Sequence, residues 1–70
     1  MKSLHVNGVE RQFAPDEMPA TVSDLLGHLN VTAAVAVVEI DGVIVRPEAF
    51  ADTPLTEGQT IELVRFVGGG

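Results

Sequence analysis

The sequence has no cysteine, no tryptophan and no tyrosine, and only four basic residues: Lys2, Arg11, Arg46 and Arg65. Without cysteine there is no disulfide framework, no thiolate zinc site and no iron–sulfur cluster. Four scattered cations against ten carboxylates leave a net charge of −6. That balance repels phosphate and argues against nucleic-acid binding. No apolar run approaches the roughly 20 residues that cross a bilayer. The N-terminal MKSLHVNG lacks the apolar core of a signal peptide. The expectation is a soluble cytoplasmic protein that binds neither nucleic acid nor membrane.

What remains is enough to fold. Seventy residues make one small domain. Chains of this size bury only about 60% of their unfolded surface and have little room for an enclosed pocket of roughly 300 Å³ or more. An apolar fraction of 46% argues against disorder despite the charge. The acidic balance suits a protein partner with a basic face, or solubility alone.

Local signals order the chain. Lys2 to Val6 alternates in polarity, and Asn7-Gly8 then predicts a type I′ hairpin turn. The second strand runs from Val9 to Ala14 and stops at Pro15. Thr21 is a helix cap, with Asp24 as the reciprocal partner of a capping box. Val22, Leu25, Leu26 and Leu29 form one apolar helical stripe, and Asn30 ends it. Ala34 to Ile40 reads as a strand, Asp41-Gly42 as a second hairpin turn, and Val43 to Val45 as the returning strand. EAFADTPL reads as one helical turn and a loop, anchored inward by Phe50 and Leu55. Thr60 to Val67 is the last strand, with Ile61 and Leu63 on one face and Val64 and Phe66 on the other.

The order β-β-α-β-β, a short turn, then β is that of an α+β, β-grasp (ubiquitin-like) fold. A mixed sheet of four or five strands carries one helix on one face, with the last strand beside the first. Residues 1–66 form the domain and residues 67–70 a flexible C-terminal tail; Val67 closes the strand and opens the tail.

Candidate chemistry within the domain is sparse. His5 alternates away from Leu4 and Val6, and His28 lies off the helix stripe, so both read as surface histidines without an oriented catalytic partner. Ser3 is no dyad partner for His5, because nothing orients the ring. There is no His-x-x-x-His, Glu-x-x-His or EF-hand spacing, so no metal site is expected. The glycine run lacks the Lys-Ser/Thr and the following helix of a phosphate loop. The chain therefore reads as a protein that is not an enzyme by itself.

The terminal VRFVGGG is what remains. Three extended glycines reach about 10 Å as a thread without side chains. The reactive group at their end is the Gly70 carboxylate, ionised at neutral pH from a reference pKa of about 3.5 and a poor acyl donor. Adenylation from ATP by an external enzyme would make it a good one.

VNG, TVSDLL and the stretch AVAVVEIDGVIVRPEAFADTPLTEGQTIELVRFVGGG, with its terminal Gly-Gly, resemble the ThiS family, the sulfur carrier proteins of thiamin (thiazole) biosynthesis. The resemblance spans the whole chain and is most specific from Ala36 to Gly70. It implies that a ThiF-like adenylyltransferase uses ATP to activate Gly70, which then carries a thiocarboxylate. Sulfur would come ultimately from a cysteine desulfurase and pass to a ThiG-like thiazole synthase. Gly68 and Gly69 would thread the tail into these enzymes, and Val64, Phe66 and Val67 would form the adjoining partner interface. No cofactor is bound by the carrier itself. The family usually ends on two glycines where this chain has three, an addition expected to bring only flexibility.

Three other readings remain open on sequence. A MoaD-like carrier for molybdopterin shares the fold and terminal chemistry, but tends to carry prolines before the tail, which are absent here. A ubiquitin-like modifier would be conjugated through Gly70. A plain binding module would leave the tail inert.

Overall fold

Two Asx-Gly turns organise the sheet. A computed structural model describes residues 1–65. Strands β1 (Lys2–Val6) and β2 (Val9–Phe13) are joined by Asn7-Gly8, and β3 (Ala36–Ile40) and β4 (Val43–Val45) by Asp41-Gly42. All four turn residues have positive φ: 51° and 81° in the first turn, 48° and 86° in the second. This is the backbone of type I′ turns, and Asn, Asp and Gly are the residues that tolerate it. Helix α1 (Val22–His28) lies between the hairpins, and β5 (Thr60–Arg65) follows a 3₁₀ segment at Pro47–Asp52.

The strand order is β2-β1-β5-β3-β4. The last strand thus lies mid-sheet, parallel to β1 and antiparallel to β3. This is the β-grasp arrangement expected from the element order. Pairing of β1 with β2 sets Val6 against Val9 and Lys2 against Phe13.

Helix α1 begins as expected: Asp24 N–H donates to Thr21 Oγ1 at 3.2 Å. Among the described residues the reciprocal half of the capping box is absent, since no hydrogen bond returns from the Asp24 side chain. Its carboxylate sits one carbon closer to the backbone than that of the Glu that usually closes the box. The helix ends in a Schellman motif. Val31 N–H donates to the Leu26 carbonyl at 2.9 Å and Asn30 N–H to the Gly27 carbonyl at 3.2 Å. Asn30, at φ 59°, takes the left-handed position often given to glycine.

Val22, Leu25 and Leu26 pack onto Leu4, Val6, Phe13, Ala36, Val38, Ile40 and Ile61 of the sheet. Phe50 and Leu55 close the core from the 3₁₀ side, as anticipated. Leu55 N–H reaches the Ala20 carbonyl at 2.9 Å, which ties this segment to the approach to α1. Among the described residues no polar or charged side chain is buried.

Two strand boundaries differ from expectation. Ala33–Val35 forms a 3₁₀ turn, so β3 starts at Ala36 rather than Ala34. Val35 N–H donates to the Thr32 carbonyl at 3.1 Å, and small alanines have no strand preference of their own to oppose that turn. Strand β2 stops at Phe13 rather than Ala14, where its partner β1 runs out at Lys2.

Candidate functional site

The last element among the described residues is β5. Hydrogen bonds from both hairpin turns hold it. At its start, Thr60 N–H donates to Asp41 Oδ1 at 2.9 Å, and Asp41 N–H donates to the Thr60 carbonyl at 2.8 Å. Further along, Asn7 N–H donates to the Ile61 carbonyl at 2.9 Å. The Asn7 side chain then continues the ladder. Its Nδ2 donates to the Leu63 carbonyl at 3.0 Å, and its Oδ1 accepts from Leu63 N–H at 2.7 Å. The amide thereby stands in for the next residue of β1, which the turn has taken away. With β3 paired as far as Arg65, the strand is held from both sides almost to its last described residue.

Alternation then decides what β5 shows to solvent. Ile61 is fully buried and Leu63 packs against the core. Val64 points to the opposite face and is 56% exposed, as expected. Its cross-strand neighbour is the half-buried Val37. In the next row on that face Glu62 stands opposite Glu39, and Glu39 stands opposite Ile44, itself 65% exposed. The uncovered face of the sheet is therefore a mixture of exposed aliphatics and carboxylates. The remaining expected site residues, Phe66, Val67, Gly68, Gly69 and Gly70, lie outside the described residues.

The two histidines occupy separate places. His5 is exposed on the uncovered face, paired in register with Glu10. His28 is exposed at the end of α1, where its ring meets Phe13 edge-on at 5.3 Å between centroids. No hydrogen bond orients either imidazole among the described residues. Nor do those residues contain a cluster of three His, Cys, Asp or Glu side chains able to hold a metal. Open surface grooves among the described residues include two. One of about 330 Å³ lies between the β1–β2 turn, β5 and the end of α1; one of about 550 Å³ lies beside Met1, Phe13 and His28. No helix is long and apolar enough to cross a membrane among the described residues.

The pinning of β5 was not apparent from the sequence. Asn7 and Asp41 read there only as turn residues, because their second role needs β5 to lie between the two hairpins. Val64 was found by alternation alone.

Comparison with known proteins matches residues 4–70 to the ThiS family. The chain is 31% identical over 67 residues to the sulfur carrier protein ThiS of Bacillus subtilis (strain 168), covering 96% of this chain and 98% of that one. It is 37% identical over 67 residues to a thiazole synthase of Paramagnetospirillum magneticum (strain ATCC 700264 / AMB-1), but spans only 20% of that longer protein. The crystal structure of the thiamine biosynthesis protein ThiS from Geobacter metallireducens superposes with a TM-score of 0.79 at 33% identity, covering 97% of this chain and 99% of that one. A solution structure of a thiamine biosynthesis protein from the same organism gives 0.78 at 33% identity, covering 97% and 87%. Sequence match, sheet order and the centrally held last strand coincide over one length of chain. The chain belongs to the ThiS family of sulfur carrier proteins.

Proposed function

We propose that this protein carries sulfur for thiazole formation in thiamin biosynthesis, with the Gly70 carboxylate as the site of attachment. The observation that carries the reading is the family match over residues 4–70, which runs through the last strand into the terminal glycines. A carrier of this kind needs no pocket or nucleophile of its own. It needs a fold that presents a thin terminus in a fixed direction, and β5 between its two pins supplies the direction.

In the proposed cycle a ThiF-like adenylyltransferase binds ATP, and a Gly70 carboxylate oxygen attacks the α-phosphorus, releasing pyrophosphate. Hydrosulfide, released by a thiol reductant from the persulfide that a cysteine desulfurase forms, then displaces AMP to leave the thiocarboxylate, the thiol being oxidised to a disulfide. A ThiG-like thiazole synthase takes the sulfur and returns the carboxylate. A thiazole synthase in which a segment resembles this chain supports that acceptor over molybdopterin chemistry. Gly68 and Gly69 form the thread, since a segment without side chains passes a narrow channel at least steric cost. Val64, with Phe66 and Val67, provides apolar contacts beside the channel mouth. The cycle runs in the cytoplasm and the carrier holds no cofactor.

Intact mass spectrometry tests this. Incubation with the adenylyltransferase, ATP and a sulfur source is expected to exchange one oxygen for one sulfur at Gly70. A protein lacking Gly69 and Gly70 is expected to remain unchanged and to fail to support growth without thiazole. Conjugates to lysine-bearing proteins in place of the exchange would indicate a modifier; growth supported by the truncated protein would indicate an inert tail.

A further inference from the structure

The cations of this acidic chain are not spread evenly. Two of the four, Arg11 and Arg65, line the groove of about 330 Å³ between the β1–β2 turn, β5 and the end of α1. None of the ten carboxylates lines it. Its apolar lining includes Val9, Leu29, Val31 and Leu63. The fold explains the assembly. Arg11 lies opposite Leu4, and Val9 opposite Val6, on the helix side of β1–β2. Leu63 and Arg65 alternate onto the same side of β5. The Schellman turn brings Val31 back beneath the helix. Arg65 is also at the C-terminal end of β5 as described, so the groove reaches that end of the strand.

We infer that this groove docks a carboxylate-bearing, partly apolar segment of the enzyme that receives the tail. The inference rests on the carrier reading above and adds a second contact to it. Charge complementarity identifies the occupant. A protein of net charge −6 attracts basic surfaces almost everywhere, whereas this groove sets Arg11 and Arg65 along an apolar lining that holds no carboxylate among the described residues. Arginine forks bind carboxylates bidentately, and the aliphatic lining accepts a neighbouring apolar side chain. The uncovered face of the sheet differs locally: Glu39 and Glu62 face each other there, whereas Arg11 and Arg65 line the groove on the helix side. A partner matched to both accepts the carrier in one orientation, which aims Gly70 at the reacting centre.

The test compares two variants of equal net charge. Arg11→Gln with Arg65→Gln removes the groove cations; Lys2→Gln with Arg46→Gln removes the two that do not line it. Turnover is measured with the adenylyltransferase and with the thiazole synthase over a range of carrier concentrations. The groove variant is expected to raise KM about tenfold with at least one enzyme while kcat changes less than about twofold. The control variant should stay within about twofold of the parent, and Arg11→Lys with Arg65→Lys should recover part of the loss. Equal effects of the two glutamine variants would reduce the groove to long-range steering and overturn the inference, as would no effect with either enzyme. Absence of turnover by the parent protein overturns the carrier reading itself, a separate outcome. All four positions are exposed, and thermal unfolding confirms that each variant folds.

Discussion

The β1–β2 and β3–β4 hairpins are closed by the same turn chemistry, yet Asn7 and Asp41 serve different ends of β5 with different bonds. Near the exit toward the tail, the Asn7 amide both donates to and accepts from Leu63. At the entry, the Asp41 carboxylate accepts from Thr60 N–H and leaves the donating role to its own backbone N–H. The difference follows from the groups to be satisfied. A carboxylate is acceptor-only, whereas a carboxamide offers both a donor and an acceptor. At the exit β1 has already turned away, so one side chain must supply both partners. The strand is thus held by two side-chain bonds where its natural neighbour ends.

Removing the exit pin should cost most. Asn7→Ala forfeits two exposed side-chain hydrogen bonds and places a residue without a polar side chain at φ 51°. Net losses of about 0.5–1 kcal/mol per bond and about 1 kcal/mol for the left-handed backbone add to about 2–3 kcal/mol, read as a lower urea midpoint at unchanged slope. Asn7→Gly keeps the turn and loses only the bonds, so it should fall between the parent and the alanine variant. Equal stability of the glycine variant and the parent would show that the side-chain bonds contribute nothing.

How much of this was legible follows the range of each interaction. Thr21, the Val22–Leu29 stripe and Asn30 mark α1 within a few residues, and both hairpins announce themselves through Asn7-Gly8 and Asp41-Gly42. The outward placement of Val64 follows from Ile61 by counting. The start of β3 at Ala36 is not legible because Ala33 to Val35 have no local feature that separates a strand from a 3₁₀ turn. Contacts between distant segments were not legible: Asn7 with Leu63, and Phe13 with His28. Each needs the strand order, to which the pattern of a single element is blind. For the terminal glycines, composition could say that they were chemically bare, and the family match supplied their context.

Exchanging the two turn residues sharpens the comparison. Asn7→Asp leaves the acceptor for Leu63 N–H but sets a carboxylate oxygen against the Leu63 carbonyl. It should cost about 1–2 kcal/mol, the penalty for an unmet acceptor and a repelled lone pair. Asp41→Asn retains the acceptor for Thr60 N–H and tolerates φ 48° equally well, so its effect should stay within about 0.5 kcal/mol. Equal losses in urea unfolding would mean that turn propensity alone chooses these residues.

The smallest expected effect lies between the pins, where Glu62 faces Glu39 across the β3–β5 ladder. Like charges directly opposite one another on a sheet are unfavourable by a few tenths of a kcal/mol, and a charge of opposite sign reverses the term. Glu62→Lys should therefore stabilise the domain by about 0.5 kcal/mol at low salt, and the gain should shrink as salt screens the pair. If instead the variant is less stable at low salt, a cation elsewhere on the uncovered face must already be balancing Glu62. The functional sign should run the other way. A repulsive pair beside Val64 and Val37 weakens the free domain and gives a basic partner surface something to neutralise on docking. Under the carrier reading, Glu62→Lys should raise KM with the receiving enzymes while it raises the unfolding midpoint, a divergence that a purely structural role for Glu62 does not produce.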